Sequence, residues 1–404
     1  MNEKGSNHQL LKQNNHNLIK KFIYRNSPIS RVEIAHQLGL TTATITGMVN
    51  PMISSGLLRE TTAQADETKA AGRPRMMLEF VAEAYYICGV DTGPYRTNYI
   101  LTDLLGNIIA VRRTNQPLGE YQVTLERFAR EIPDFLDETG IPREKILGVG
   151  ICLPGMIDGN ADKIYDIFQE GWTEHSISTE LGERLGLKVE VENNVRARAI
   201  SAELFDRMVK AEPFAYFFVS FGIACQMIID GKVLYGQSAA AGEIGHTVVQ
   251  RNGPVCPTCG NRGCLEALTG ERAILQQCRD IMATDTPTVL KELCRDSNRL
   301  TMDQVLEAQE LGDKAVSQVI EDAIEYLGIA LANTINLISP RSVVLEGRIL
   351  STPTNQERML RIVDQYMFHI HSGMTDFTFL PYDPDRGARA AASVVVKEFL
   401  GRPL

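Results

Sequence analysis

The stretch that decides the fold is Gly242-Glu243-Ile244-Gly245-His246, followed by Cys256-Pro257-Thr258-Cys259-Gly260-Asn261-Arg262-Gly263-Cys264-Leu265-Glu266. Three of the eight cysteines, Cys256, Cys259 and Cys264, crowd into nine residues here. The other five are scattered through mostly apolar surroundings, where a buried free thiol is the ordinary explanation. An imidazole, His246, precedes the crowded thiols, and two carboxylates, Glu243 and Glu266, bracket the stretch.

Outward from this stretch, strands and helices alternate. Tyr86–Asp91 and Asn98–Asp103 read as a hairpin, Ile146–Ile151 as a buried strand and Val189–Val191 as another. Ala215–Phe221 and Gln226–Ile229 read as a second hairpin. A long helix is expected over Asp313–Leu337 and a late strand over Ser342–Leu345. Two sheet-plus-helix halves in this order predict a two-lobed α/β domain with a cleft between its lobes.

The first eighty residues follow another pattern. Leu18, Ile19, Phe22 and Ile23 fall on one face of a helix over Asn14–Arg25, which Pro28 stops. Ser30-Arg31-Val32-Glu33 is a capping box that opens a short helix ending at Gly39. Ile45, Met48, Val49, Met52 and Ile53 then make one apolar stripe on a third helix starting at Thr41 or Thr42. Pro51 should bend that helix or end it early. Helix, glycine turn, helix is the helix-turn-helix arrangement. Thr41, Thr42, Thr44, Thr46 and Asn50 are its candidate groove contacts, and Lys20, Lys21, Arg25 and Arg31 its candidate phosphate contacts. Gly72-Arg73-Pro74-Arg75 lies between two apolar stretches and reads as the tip of a wing, with Arg73 and Arg75 suited to a narrow minor groove. A flexible basic linker is the alternative.

Charge agrees with a small basic head on an acidic body. Residues 1–80 hold ten Lys and Arg against six Asp and Glu; the remainder holds 31 against 44. No apolar run spans a bilayer, and Met1–Asn15 lacks the apolar core of a secretory signal. A cytoplasmic protein with reduced thiols is expected.

The paired motif of residues 242–246 and 259–266 resembles the signature of the ROK family of repressors and sugar kinases. With the head, the chain is similar to the xylose-repressor and N-acetylglucosamine-repressor branch. The resemblance implies a winged helix-turn-helix over 1–80 and a two-lobed actin-like, ribonuclease-H-like sugar-kinase fold. Its N-terminal lobe would cover 81–200 and its C-terminal lobe 201–404, with the option that the last helix packs back on the N-terminal lobe. It implies a structural zinc at His246, Cys256, Cys259 and Cys264. The first pair is one residue longer than the family's usual Cys-x-Cys, though Cys-x-x-Cys is itself a common zinc spacing.

The resemblance also implies sugar contacts at Asn193, Asn194, Glu243, His246 and Glu266. The kinases' general-base aspartate corresponds to Asn194, which cannot take a proton usefully at neutral pH. The first phosphate loop of the kinases, Asp-x-Gly-Gly-Thr, reads Asp91-Thr92-Gly93-Pro94-Tyr95. The second reads Ser220-Phe221-Gly222-Ile223-Ala224-Cys225-Gln226, and the late Gly-Gly reads Glu346-Gly347, followed by Arg348. Gln169, a further candidate sugar contact, stands near the position where the kinases carry an asparagine ahead of the tryptophan, here Trp172, with Glu170 beside it. Either the ligand is not plain glucose or this segment faces solvent. The expected function is a sugar-responsive repressor of carbohydrate genes without catalysis. It would bind operator DNA and a sugar as a homo-oligomer, dimer or tetramer. A bifunctional kinase and a regulator controlled by a protein partner are the competing readings.

Overall fold

The computed structural model describes residues 8–62, 75–159, 163–167, 169–206 and 213–402. The chain divides into two compact units, residues 1–208 with 385–404, and residues 209–384.

The first unit opens with α1 (His8–Asn26), β1 (Ile29–Ser30), α2 (Arg31–Leu38), α3 (Thr42–Ser54), β2 (Leu58–Thr62) and β3 (Met76–Phe80). The Ser30 hydroxyl accepts from the Glu33 N–H, and the Glu33 carboxylate accepts from the Ser30 N–H at 3.0 Å, which starts α2. Gly39, at φ +63°, ends it. Thr41 caps α3 by accepting from the Thr44 N–H at 3.1 Å. Ile45, Val49 and Met52 are its buried stripe, while Met48 and Ile53 are half-buried. Pro51 does not end α3, which runs three residues further. On a last turn proline forfeits a single hydrogen bond, to the carbonyl four residues back, and the buried stripe outweighs it. Strands β2 and β3 pair antiparallel from Leu58↔Phe80 to Thr62↔Met76, and β1 lies on the other edge of β3. Arg73 and the segment joining β2 to β3 lie outside the described residues.

The same unit continues through β4 (Tyr86–Thr92), β5 (Thr97–Asp103), β6 (Ile108–Thr114), α4 (Tyr121–Thr139), β7 (Ile146–Leu153), β8 (Met156–Asp158), β9 (Lys163–Asp166), α5 (Ile177–Leu185), β10 (Val189–Asn193) and α6 (Asn194–Leu204). Strands β4, β5 and β6 form an antiparallel meander, and β7 and β10 add in parallel on the β4 side. A core of Leu125, Phe128, Val149, Ile151, Trp172 and Leu181 joins helices α4 and α5 to this sheet.

The second unit holds β11 (Phe214–Val219), β12 (Ile223–Ile229), β13 (Lys232–Val233), α7 (Leu265–Thr269), α8 (Glu271–Met282), α9 (Leu290–Leu293), α10 (Met302–Glu310), α11 (Lys314–Ile338), β14 (Ser342–Gly347), α12 (Pro353–Tyr366) and β15 (Asp376–Leu380). Its sheet repeats the first: three antiparallel strands, then two parallel ones beside the first of the three. The long helix α11 buries Ile320, Ile324, Leu327 and Leu331 in its core.

The final helix, α13 (Arg386–Gly401), belongs to the first unit. A Cβ on Gly89 would stand 2.0 Å from the Ala388 carbonyl oxygen, and one on Gly150 would stand 1.9 Å from that of Ala391. Only glycine lets a helix lie this close to β4 and β7. Helix α1 then docks on α13. Lys20, expected at a phosphate, is instead fully buried: its Nζ donates to the carbonyls of Phe399 at 2.6 Å and Arg402 at 2.5 Å, above the Phe399 ring. Asn17 donates to the Gly401 carbonyl, Tyr24 donates to that of Leu104, and Arg25 pairs with Glu203. Of the four proposed phosphate cations, Lys21 stays exposed, and Arg31 is held by Glu60 and Asn50.

Burial pushes the Lys20 ammonium down to about 8, helped by the nearby Lys21 charge. A neutral amine still has two protons for its two carbonyls. Lys20→Met is therefore expected to cost about 2 kcal/mol by leaving both carbonyls unmet, measured as a lower urea midpoint. In the parent chain, stability should rise as the pH climbs from about 8 towards 10.5, because the unfolded chain still binds the proton that the buried amine has released. The variant should lack that rise.

Candidate functional site

The residues singled out by the sequence fall in three places: a thiol–imidazole knuckle in the second unit, the strand ends and loops of each sheet, and the outer face of the head.

The knuckle is built on close backbone packing. The turn at Gly242–His246 lies against β12, where the Cys225 N–H donates to the Gly242 carbonyl at 2.8 Å. A Cβ on Gly245 would come within 2.5 Å of the Ile223 carbonyl oxygen, so the first motif needs glycine there. Bridges pair Val248 with Cys264 and Val255 with Arg262, and the Cys256 N–H donates to the Asn261 carbonyl at 2.7 Å. These contacts fold the cysteines back towards the histidine. One ligand atom from each of His246, Cys256, Cys259 and Cys264 lies within 4.8 Å of the others.

The spacing fits a metal. A tetrahedral ion with sulfur at about 2.3 Å holds two thiolates about 3.8 Å apart. The Cys259 and Cys264 sulfurs are 3.5 Å apart, and Cys256 Sγ is 3.8 Å from His246 Nδ1. Burial and the neighbouring thiols push the Cys264 thiol up to about 12, whereas the Asn261 N–H pulls that of Cys259 down. Gathering three sulfurs in this space favours a cation to balance them as thiolates. Nδ1 is the His246 nitrogen facing the thiols, which leaves Nε2 to other partners.

Glu266 begins helix α7 directly beyond Cys264. Its Oε1 accepts a hydrogen bond of 2.7 Å from the Thr258 hydroxyl, and its Oε2 lies beside Gly222. Glu243 is half-buried in the turn before His246. The residues aligned with the second phosphate loop are mostly strand: the turn is only Ser220–Gly222, closed by the Ser220 N–H on the Gly222 carbonyl at 3.0 Å, while Ile223–Gln226 are buried in β12. Beyond β14, Arg348 donates to Asp303 at 3.1 Å and to the Tyr382 hydroxyl at 2.6 Å, and stacks 4.2 Å from the Tyr382 ring centre. Glu346 is buried on the Tyr216 hydroxyl.

In the first unit, Asn193 is committed to structure. Its Oδ1 caps α6 by accepting from Val195 and Arg196, and its Nδ2 donates to the Gly155 carbonyl at 2.8 Å. One amide N–H is left for a ligand. Asn194, the first residue of α6, is half-buried, and its side chain makes no hydrogen bond among the described residues. Asp91 faces Arg198 at 3.9 Å and fills the space beside Gly387 at the start of α13. Gly93 and Arg96 close a turn that carries Pro94 and an exposed Tyr95. Gln169 and Glu170 are exposed, while Trp172 is buried and donates to the Gly119 carbonyl at 3.0 Å. Trp172 is thus a packing anchor, and the two polar residues stand on the surface of this unit.

On the head, Thr42 and Asn50 are exposed and Thr44 and Thr46 half-buried along α3. The Thr41 hydroxyl is occupied with the cap. Arg75 is exposed at the foot of β3, 3.8 Å from Glu33. Spacing gave no sign of Thr258 as a partner of Glu266, of Arg198 facing Asp91, or of Tyr382 under Arg348, since each depends on the folded chain. The one hint was the extra residue between Cys256 and Cys259.

A duplicated five-stranded sheet with a thiol–imidazole knuckle in its second copy defines a sugar-kinase-like body, here preceded by a helical head. The ROK family model matches residues 87–398, and the chain belongs to that family. It is 28% identical over 393 residues to the xylose repressor of Bacillus subtilis (strain 168), covering 96% of this chain and 97% of that protein. It is 27% identical over 353 residues to the DNA-binding transcriptional dual regulator NagC of Escherichia coli (strain K12), covering 85% and 82%. In fold it is similar to a crystal structure of a ROK family transcriptional regulator described as a homologue of the E. coli MLC protein, with a TM-score of 0.83, 23% identity and 97% of each chain covered. The ROK hexokinase of Thermus thermophilus matches with a TM-score of 0.61 and 24% identity over 78% of this chain and 99% of its own.

Purified chain is expected to carry one metal ion, and Cys264→Ser or a strong chelator should remove it and lower the Tm by several degrees. Metal analysis and a thermal melt check this; a metal-free chain that melts identically with and without chelator would contradict it.

Proposed function

We propose that the chain is a sugar-responsive transcriptional repressor whose body binds a sugar and does not phosphorylate it. The observation that carries this reading is the extent of the match. The xylose repressor aligns with 96% of this chain, which takes in the head, whereas the hexokinase covers 78%. One relative is named as DNA-binding and others are named for xylose or N-acetylglucosamine. For this chain we infer double-stranded operator DNA as one partner and a sugar or sugar derivative as the other.

Thr42, Thr44, Thr46 and Asn50 on α3 are assigned to the major groove, with Arg73 and Arg75 on the adjoining minor groove and phosphates. A homodimer would place two such heads on a palindromic site. We assign the sugar hydroxyls to Asn194, Glu243, His246 and Glu266, with the remaining Asn193 N–H as a lesser contact. Carboxylate and amide groups suit hydroxyls as directional partners. We take the metal to be zinc, held by His246, Cys256, Cys259 and Cys264 as a closed structural site. Bound there, it would crosslink the loop that carries Glu266 to the turn that carries Glu243. Signalling then requires only that the sugar bind one arrangement of the protein better than another. Catalysis would require a proton acceptor where Asn194 stands, and a phosphate approach where Arg348 and Tyr382 now stack. No described helix is long and apolar enough to cross a membrane; work on DNA in the cytoplasm is inferred from the repressor relatives.

Fluorescence anisotropy on DNA from upstream of the chain's own gene tests this. Specific binding should weaken steeply between roughly 50 and 200 mM salt and shift on adding D-xylose, D-glucose or N-acetyl-D-glucosamine. Thr46→Ala with Asn50→Ala should reduce discrimination against scrambled DNA about tenfold or more. Equal affinity for the upstream and scrambled sequences would sink the reading.

A further inference from the structure

One of the two residues between Cys256 and Cys259 has a partner outside the metal cluster. Thr258 lies between Cys256 and Cys259, and its hydroxyl donates to Glu266 Oε1 at 2.7 Å. Both residues are half-buried. Cys256 and Cys259, on either side, both belong to the four-donor cluster, so the backbone that presents this hydroxyl is fixed from both ends whenever a metal is held. Pro257 further restricts it, because proline locks φ. Glu266 is anchored from the other side by helix α7, where the Gly270 N–H donates to its carbonyl at 3.0 Å. Its side chain would otherwise rotate about three bonds.

We propose that Thr258 is a positioning residue for the sugar site. Its hydroxyl fixes the Glu266 carboxylate in one rotamer by occupying Oε1, which leaves Oε2, on the side of Gly222, as the oxygen that accepts a sugar hydroxyl. This rests on the assignment of Glu266 to the sugar in the proposed function. The gain comes from preorganisation: a carboxylate already held in its binding rotamer loses less freedom when the ligand arrives. The metal loop and the sugar-holding carboxylate are thereby joined by one hydrogen bond. Loss of the metal releases Thr258, and with it the orientation of Glu266.

Full-length Thr258→Val and Thr258→Ser test this, with titration calorimetry against D-xylose, D-glucose and N-acetyl-D-glucosamine. Thr258→Val keeps the shape and removes the donor; Thr258→Ser restores the donor. The valine variant is expected to hold one metal per chain, melt with the parent and bind operator DNA normally without sugar. Its sugar Kd should rise about tenfold, and serine should bring it back. Parent-like sugar affinity in Thr258→Val would overturn the proposal. So would loss of metal in that variant or failure of serine to rescue, since either makes Thr258 a brace for the loop alone. If the parent binds none of the sugars, the assignment of the sugar site fails separately. The crystal structure of metal-loaded Thr258→Val still decides the rotamer: Glu266 turned from its parent position supports the proposal, and an unmoved carboxylate overturns it.

Discussion

The final helix lies on the first sheet at a distance only glycine allows, and much of the first unit is arranged around that contact. Gly89 and Gly150 give up their side chains so that the carbonyls of Ala388 and Ala391 can sit against β4 and β7. One end of α13 stands at Asp91, where Gly387 again has no room for a Cβ. The other end receives Lys20 and Asn17 from α1, with the Lys20 ammonium above the Phe399 ring of α13. The head therefore rests on α13 through a buried lysine side chain and hydrogen bonds to the helix end. A single helix of 16 residues touches both the strand end at Asp91 and helix α1 of the head.

The body keeps the kinase framework while its polar groups have found new partners. Asp91 faces a guanidinium, that of Arg198. Asn193 spends most of its amide on capping α6 and bracing Gly155. Arg348 fills the space beyond β14 with Tyr382 and Asp303. Each arrangement satisfies a polar group that would be costly to bury alone. Glu266 Oε2 and the Asn194 side chain, which has no hydrogen bond among the described residues, keep capacity for hydroxyls.

Periodicity and punctuation carried much of the architecture. The capping box at Ser30, the stop at Gly39, the stripe on α3 and the long helix α11 were all legible, because each follows from local spacing. Pro51 misled: the rule for a helix interior loses force on a last turn with a buried stripe to hold it. Lys20 misled for the opposite reason. A lysine on the polar side of a weakly amphipathic helix reads as solvated, and only the return of a helix nearly 380 residues later buries it. The crowding of Cys256, Cys259 and Cys264 with His246 was visible as composition, and the fold brings their ligand atoms together. What Asn193 does was invisible, since one amide serves equally as a helix cap or a sugar contact until its neighbours are placed.

The proposed function requires a body that binds a sugar without phosphorylating it. The most direct measurement incubates the purified full-length chain with ATP, Mg²⁺ and each of the three sugars, and follows sugar phosphate and nucleotide hydrolysis. No sugar phosphate above the protein-free background is expected for a sugar that calorimetry shows to be bound. Sustained, ATP-dependent turnover of that sugar would contradict it.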